Sequence, residues 1–128
     1  MRSDNNVVSH RAYHVVWCPT YRRPVITGDV AIRLTEIVRE VAAERECTII
    51  ERDTMPDHGH LLVDCDPQYG IHWLVTQIKG RSSRALWQEF PSLTSRLPTL
   101  WAHSHVAAAV GGATLEVIKK YVENHRGL

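Results

Sequence analysis

The chain has 128 residues, 44% hydrophobic and 23% charged, with 7 Gly and 6 Pro; a chain of this size and balance buries about two-thirds of its unfolded surface in one core, which excludes a disordered or fibrous protein. No apolar run approaches the ~18 residues of a membrane span, the polar start Met1–Asn6 lacks a signal-peptide stretch, and the odd set Cys18, Cys47 and Cys65, with no CxxC pair, suits a reduced cytosol rather than a disulfide framework. The net charge is only +1, but residues 1–78 hold 8 basic and 11 acidic side chains while residues 79–128 hold 7 and 3, a polarity that either shows a basic face to a polyanion or simply solvates the surface.

Residues 1–128 read as one domain without repeats or linkers. Residues 10–18 are rich in aromatic and β-branched types, are followed by Pro19, and predict a strand. From Asp29, a fitting N-cap, to about Glu46, the residues Val30, Leu34, Ile37, Val38 and Val41 recur at spacings of three and four, which predicts an amphipathic helix. Cys47–Asp53 predicts a strand, Met55-Pro56-Asp57 a turn, and His58–Cys65 a further short strand. Residues 71–90 predict a second helix with Leu74, Ile78, Ala85 and Leu86 toward the core, interrupted by Gly80 and ended by Pro91. Leu100–Val110, between Pro98 and Gly111-Gly112, predicts a strand, and a last helix runs from Thr114 to about His125. The order is that of an α+β, ferredoxin-like β-α-β-β-α-β sandwich. It implies a four-stranded antiparallel sheet with two helices on one face, plus a C-terminal helix that carries a tyrosine.

Three groups of residues carry chemistry. His58 and His60 stand one residue apart on a predicted strand, so both imidazoles leave the same face and can grip one ion. Imidazole suits Zn, Mn, Fe, Co or Ni; an isolated pair of this kind is equally a surface or core feature. Tyr121 and His125 lie one turn apart on the last helix, which suits a phenol nucleophile beside a metal ligand. With Ile118 and Val122 the same residues also make a plain core stripe. Lys79-Gly80-Arg81-Ser82-Ser83-Arg84, with Trp87 one turn on, offers phosphate contacts and an aromatic for base stacking. Tyr21-Arg22-Arg23 repeats the theme. A solvated helix face and a basic turn account for the same residues.

Taken together these segments resemble a family, the single-tyrosine HUH transposases of the insertion-sequence 200/605 group. The resemblance lies in Trp17-Cys18-Pro19-Thr20-Tyr21-Arg22-Arg23-Pro24 and in Met55-Pro56-Asp57-His58-Gly59-His60-Leu61-Leu62-Val63. It continues through Lys79–Arg84 with Glu89-Phe90-Pro91, through Leu100-Trp101 and Val110-Gly111-Gly112, and through Ile118-Lys119-Lys120-Tyr121-Val122-Glu123-Asn124-His125. The motifs stand in order from about His10 to His125. The resemblance implies a homodimer that binds hairpins at element ends and cuts single-stranded DNA. Tyr121 would form a 5′-phosphotyrosine and release a 3′-hydroxyl that later reseals the strand. His58, His60 and His125 would hold a divalent ion, Mg or Mn, with other transition metals possible. Tyr21, Arg22, Arg23, Lys79, Arg81, Ser82, Arg84 and Lys120 would contact DNA, and each active site would be shared between two subunits, with no membrane involved.

The chain departs from that pattern at three places. Gly59 takes the middle HUH position, usually a sizeable hydrophobe; it is expected to point away from the histidines into the core and to lose packing there. His125 stands where Gln or Asn is common and tilts metal preference from Mg toward softer ions. His103-Ser104-His105 replaces an aromatic-containing stretch, where His105 is either a harmless surface substitution or an extra titratable group near the dimer sheet. Gly59 and the His103–His105 stretch motivate an alternative, a domesticated or decayed relative that binds hairpins without efficient cleavage, while the intact set His58, His60, Tyr121 and His125 argues against it. A small metal hydrolase acting on other substrates would leave Lys79–Arg84 unexplained.

Overall fold

The structure, a computed structural model, describes residues 12–45, 47–66 and 70–109. Among the described residues four strands form one sheet: β1 (Ala12–Pro19), β2 (Thr48–Met55), β3 (His58–Asp64) and β4 (Trp101–Ala109), in the order β2-β3-β1-β4 with every neighbouring pair antiparallel. Two long helices, α1 (Gly28–Glu44) and α2 (Ile71–Glu89), join them, and a short α3 (Ser92–Arg96) precedes β4. This is the predicted ferredoxin-like order.

Alternation along the strands decides which residues meet the helices. Val15 and Trp17 of β1 and Leu61 and Val63 of β3 pack in one core with Leu34, Ile37, Val38 and Val41 of α1 and Leu74, Val75, Ile78 and Leu86 of α2. Val15, Val41, Val63, Leu74 and Leu86 are wholly buried. The intervening residues His14, His58 and His60 therefore belong to the sheet face turned away from α1 and α2. The three cysteines are free thiols.

Three local expectations need correction. The N-cap of α1 is Thr27, without a side-chain cap bond, and Asp29 sits inside the first turn, where its carboxylate complements the helix dipole. Gly80 does not interrupt α2, because its exposed site leaves the backbone ladder free to continue through it. The helix α3 was absent from the prediction; its five residues between Pro91 and Pro98 are too few to show a hydrophobic period. No helix among the described residues is long and apolar enough to cross a membrane.

Candidate functional site

β3 runs between β1 and β2, so the two histidines it carries are held from both sides. His60 lies opposite Val16 of β1 and Asp53 of β2, and His58 lies opposite Met55. His60 is buried and His58 is more open. His14 of β1 shares their face. Its ring meets that of His60 edge-on, with centroids 4.2 Å apart and planes at 76°, and the two Nε2 atoms face each other. Sequence reasoning missed His14, although its place on a predicted strand one residue from the core Val15 already set its face.

His58 is tied at its other nitrogen. Its Nδ1 lies 2.8 Å from Asp57 Oδ1, and the second oxygen of that carboxylate accepts from Arg22 Nη2 at 3.0 Å. The His58 hydrogen bond, then the Arg22 charge, hold the Asp57 carboxyl below its ordinary range. Arg22 reaches it from a tight turn, Thr20–Arg22, in which Tyr21 (φ 59°) and Arg22 (φ 52°) both adopt left-handed backbone. Such a conformation costs a non-glycine residue about 1–2 kcal/mol, so surrounding structure must hold it. Thr20 does so, with its amide on Leu100 O at 3.0 Å and its hydroxyl donating to Thr99 O at 2.7 Å. The turn leaves Tyr21 76% exposed, and Arg22 and Arg23 are exposed beside it.

The basic stretch of α2 divides into three kinds of residue. Arg81 and Arg84 line an open groove of about 630 Å³ together with Arg33, Gln77, Gly80 and Glu89. Arg33 is held by Glu89 and Glu36, and both Nη atoms of Arg81 are engaged by Glu44; Arg84 is exposed and has no carboxylate partner among the described residues. Lys79 instead crosses to β4, donating to the carbonyls of Ala102 at 2.9 Å and His103 at 3.1 Å. Burial chiefly lowers its pKa, with Cys18 opposing.

Ser82, expected among the DNA contacts, is fully buried. Its Oγ donates to the Ile78 carbonyl one turn back and accepts from Trp101 Nε1 at 2.9 Å, which leaves no surface for a phosphate. Trp87, offered as a stacking platform, is half-buried against the core. His105 faces α2, with its ring 5.8 Å from that of His72. Its Nδ1 is buried without a hydrogen-bond partner among the described residues, and burial, then Lys79 and His72, lower its pKa. Among the described residues no group of three or more His, Cys, Asp or Glu is arranged to hold a metal. Tyr121, His125 and Lys120 lie outside the described residues.

Residues 7–125 match the family described as IS200-like transposases. The ISDra2 transposase TnpA of Deinococcus radiodurans is 36% identical over 97% of this chain and 90% of its own length. The IS200 transposase of Salmonella typhimurium is 26% identical over 88% of this chain and 74% of its own. A solved structure from Deinococcus radiodurans superposes with a TM-score of 0.73 at 31% identity, over 93% of both chains. A REP-associated tyrosine transposase solved with a REP hairpin gives 0.64 at 15% identity, over 91% of this chain and 62% of that one, a likeness of fold. The resemblance carried by the tryptophan–tyrosine, histidine and tyrosine-helix motifs thus holds along almost the whole chain, which belongs to the IS200/605 family of transposases.

Proposed function

We propose that this transposase works as an HUH domain spanning residues 1–128, acting as a homodimer on single-stranded DNA in the cytoplasm, at element ends marked by a hairpin. The observation that carries the reading is the state of the HUH pair. His58 and His60 leave one face of the central strand, and Asp57 occupies the Nδ1 of His58. That leaves Nε2 as the free donor, the arrangement usual for a metal-ligating histidine. The two imidazoles would hold a divalent ion that must also admit phosphate oxygens, with His125 as the further ligand and with the His60 Nε2 turned from the His14 ring that it now meets.

A divalent ion held there, Mg or Mn, supplies Lewis-acid polarisation of the scissile phosphate. Tyr121 is the nucleophile: its oxygen attacks phosphorus, the bond to the 3′-oxygen breaks, and the phenolic proton is balanced by protonation of that oxygen. The products are a 5′-phosphotyrosine and a 3′-hydroxyl, and the ester conserves the bond for rejoining. Arg84, Arg23 and exposed Tyr21 are the readiest DNA contacts, ahead of Arg22, Arg81 and Lys79, which hold partners within the chain; Lys120 is a further contact.

Labelled single-stranded element ends incubated with Mn should yield a covalent protein–DNA band, absent for Tyr121→Phe. Mixing Tyr121→Phe with His58→Ala should restore the band, because a shared site can draw its intact tyrosine and histidine from different subunits. No band with any divalent ion would favour a hairpin binder that does not cut. A dead mixture of exchanging subunits would place each site within one chain.

A further inference from the structure

Asp57, which occupies Nδ1 of His58, also lies against a basic turn with left-handed backbone, so it links that turn to one of the two histidines. A carboxylate only accepts hydrogen bonds, so the 2.8 Å contact to Asp57 Oδ1 requires that Nδ1 of a neutral His58 carry the proton. The other oxygen of Asp57 is occupied by Arg22 at 3.0 Å. Both ends of this chain are themselves anchored. The Pro56 carbonyl beside Asp57 accepts from the Ile26 amide at 3.0 Å, and the turn carrying Arg22 is pinned through Thr20 to Leu100.

We infer that Asp57 is a positioning residue for the metal site and Arg22 its clamp: the chain Arg22–Asp57–His58 holds His58 in the Nδ1–H tautomer, with the Nε2 lone pair presented for an ion. The inference rests on the reading of His58 as a ligand. Against it stands the simpler reading that the Arg22–Asp57 pair is a half-exposed surface salt bridge, which would contribute little by itself. Two observations separate them. The carboxylate is shared with a half-buried imidazole, and Arg22 keeps a left-handed backbone while making the contact. Free imidazole in water favours the Nε2–H tautomer, which has no lone pair where an ion would be held. Without Asp57 the site would therefore have to shift a proton before binding.

The test uses the full chain in two measurements. Long-range nitrogen–proton NMR on metal-free protein, above the imidazole titration range, reports the His58 tautomer directly. Nδ1–H is expected in the wild type and a shift toward Nε2–H in Asp57→Ala; a wild-type Nε2–H tautomer overturns the proposal without any substitution. Mn binding, followed by the EPR signal of the free ion and without DNA, should weaken about 10–100-fold in Asp57→Ala. Asp57→Asn, whose amide oxygen still accepts from Nδ1–H, should recover most of that loss. Arg22→Ala should weaken Mn binding by a smaller factor, although no DNA is present for it to contact. Unchanged Mn affinity in Asp57→Ala, alongside a loss in His58→Ala, removes the positioning role and leaves the ligand reading intact. Unchanged affinity in His58→Ala removes the ligand reading itself.

Discussion

The indole of Trp17 fills the space that a side chain at position 59 would need. A Cβ built on Gly59 would lie 2.6 Å from Trp17 Cζ2 and 2.7 Å from Cε2, closer than packed atoms tolerate. Glycine in the middle of the HUH motif is therefore matched to a large neighbour on β1, and the expected loss of packing is made good by the indole, itself only 3% exposed. Gly59→Val should destabilise the fold by about 1–3 kcal/mol through overpacking, seen as a lower urea midpoint. Trp17→Phe in the same chain should recover part of the loss; strictly additive effects would show that the two positions do not share this space.

Ser82 braces the core, so its loss should be felt in stability and not in DNA affinity. Ser82→Ala leaves the buried Trp101 Nε1 without its acceptor, a penalty of about 1–3 kcal/mol. The salt dependence of hairpin binding should stay as in the wild type. A flatter salt slope with unchanged stability would return Ser82 to the DNA surface.

The arginines of α2 should part company when salt is varied. Arg84→Ala should flatten the salt dependence of hairpin binding by roughly one ion-release unit. Glu44→Gln should do the reverse, tightening binding and steepening the slope, because it frees Arg81 from the carboxylate that now holds it. Identical slopes in both variants would mean that DNA does not enter this groove.

His105 should make the fold sensitive to mild acid. Its folded pKa is lowered, by burial first and then by Lys79 and His72, so the unfolded chain takes up the proton more readily. The sign follows: stability is full above the unfolded imidazole pKa of about 6.5 and falls as pH drops below it, until the folded pKa is passed. Asp57, also lowered, acts only in the lower carboxylate range. Between about pH 7 and 5 the thermal midpoint of His105→Asn should therefore fall less than that of the wild type; parallel curves would contradict the assignment.

What could be read from the residues alone followed the strength of the local pattern. Apolar, aromatic and β-branched runs bounded by turn residues located the four described strands, a spacing of three and four located α1, and the paired histidines marked one face of β3. Ser82 was misread because hydroxyls among arginines suggest phosphate contacts. Its spacing of four from both Ile78 and Leu86, each buried, already placed it on the core side of α2. Asp57 was read only as a turn residue, since its bond to Arg22 joins it to a turn 35 positions away in sequence. Arg81 looked free for the same reason: Glu44 comes from another helix, and pairing across helices leaves no periodic trace.

The sheet order also governs how the molecule comes into being on the ribosome. β1 emerges first and ends at the centre, pairing with β3 through Trp17 opposite Gly59 and with β4 through Tyr13 opposite Ala109. The β2–β3 hairpin can form early and capture one edge of β1, but the other edge waits for nearly all of the described sequence to be synthesised. Such long-range closure is slow, and until it happens an open strand edge is available to other nascent chains. Messages truncated before Trp101 should accordingly give aggregating products.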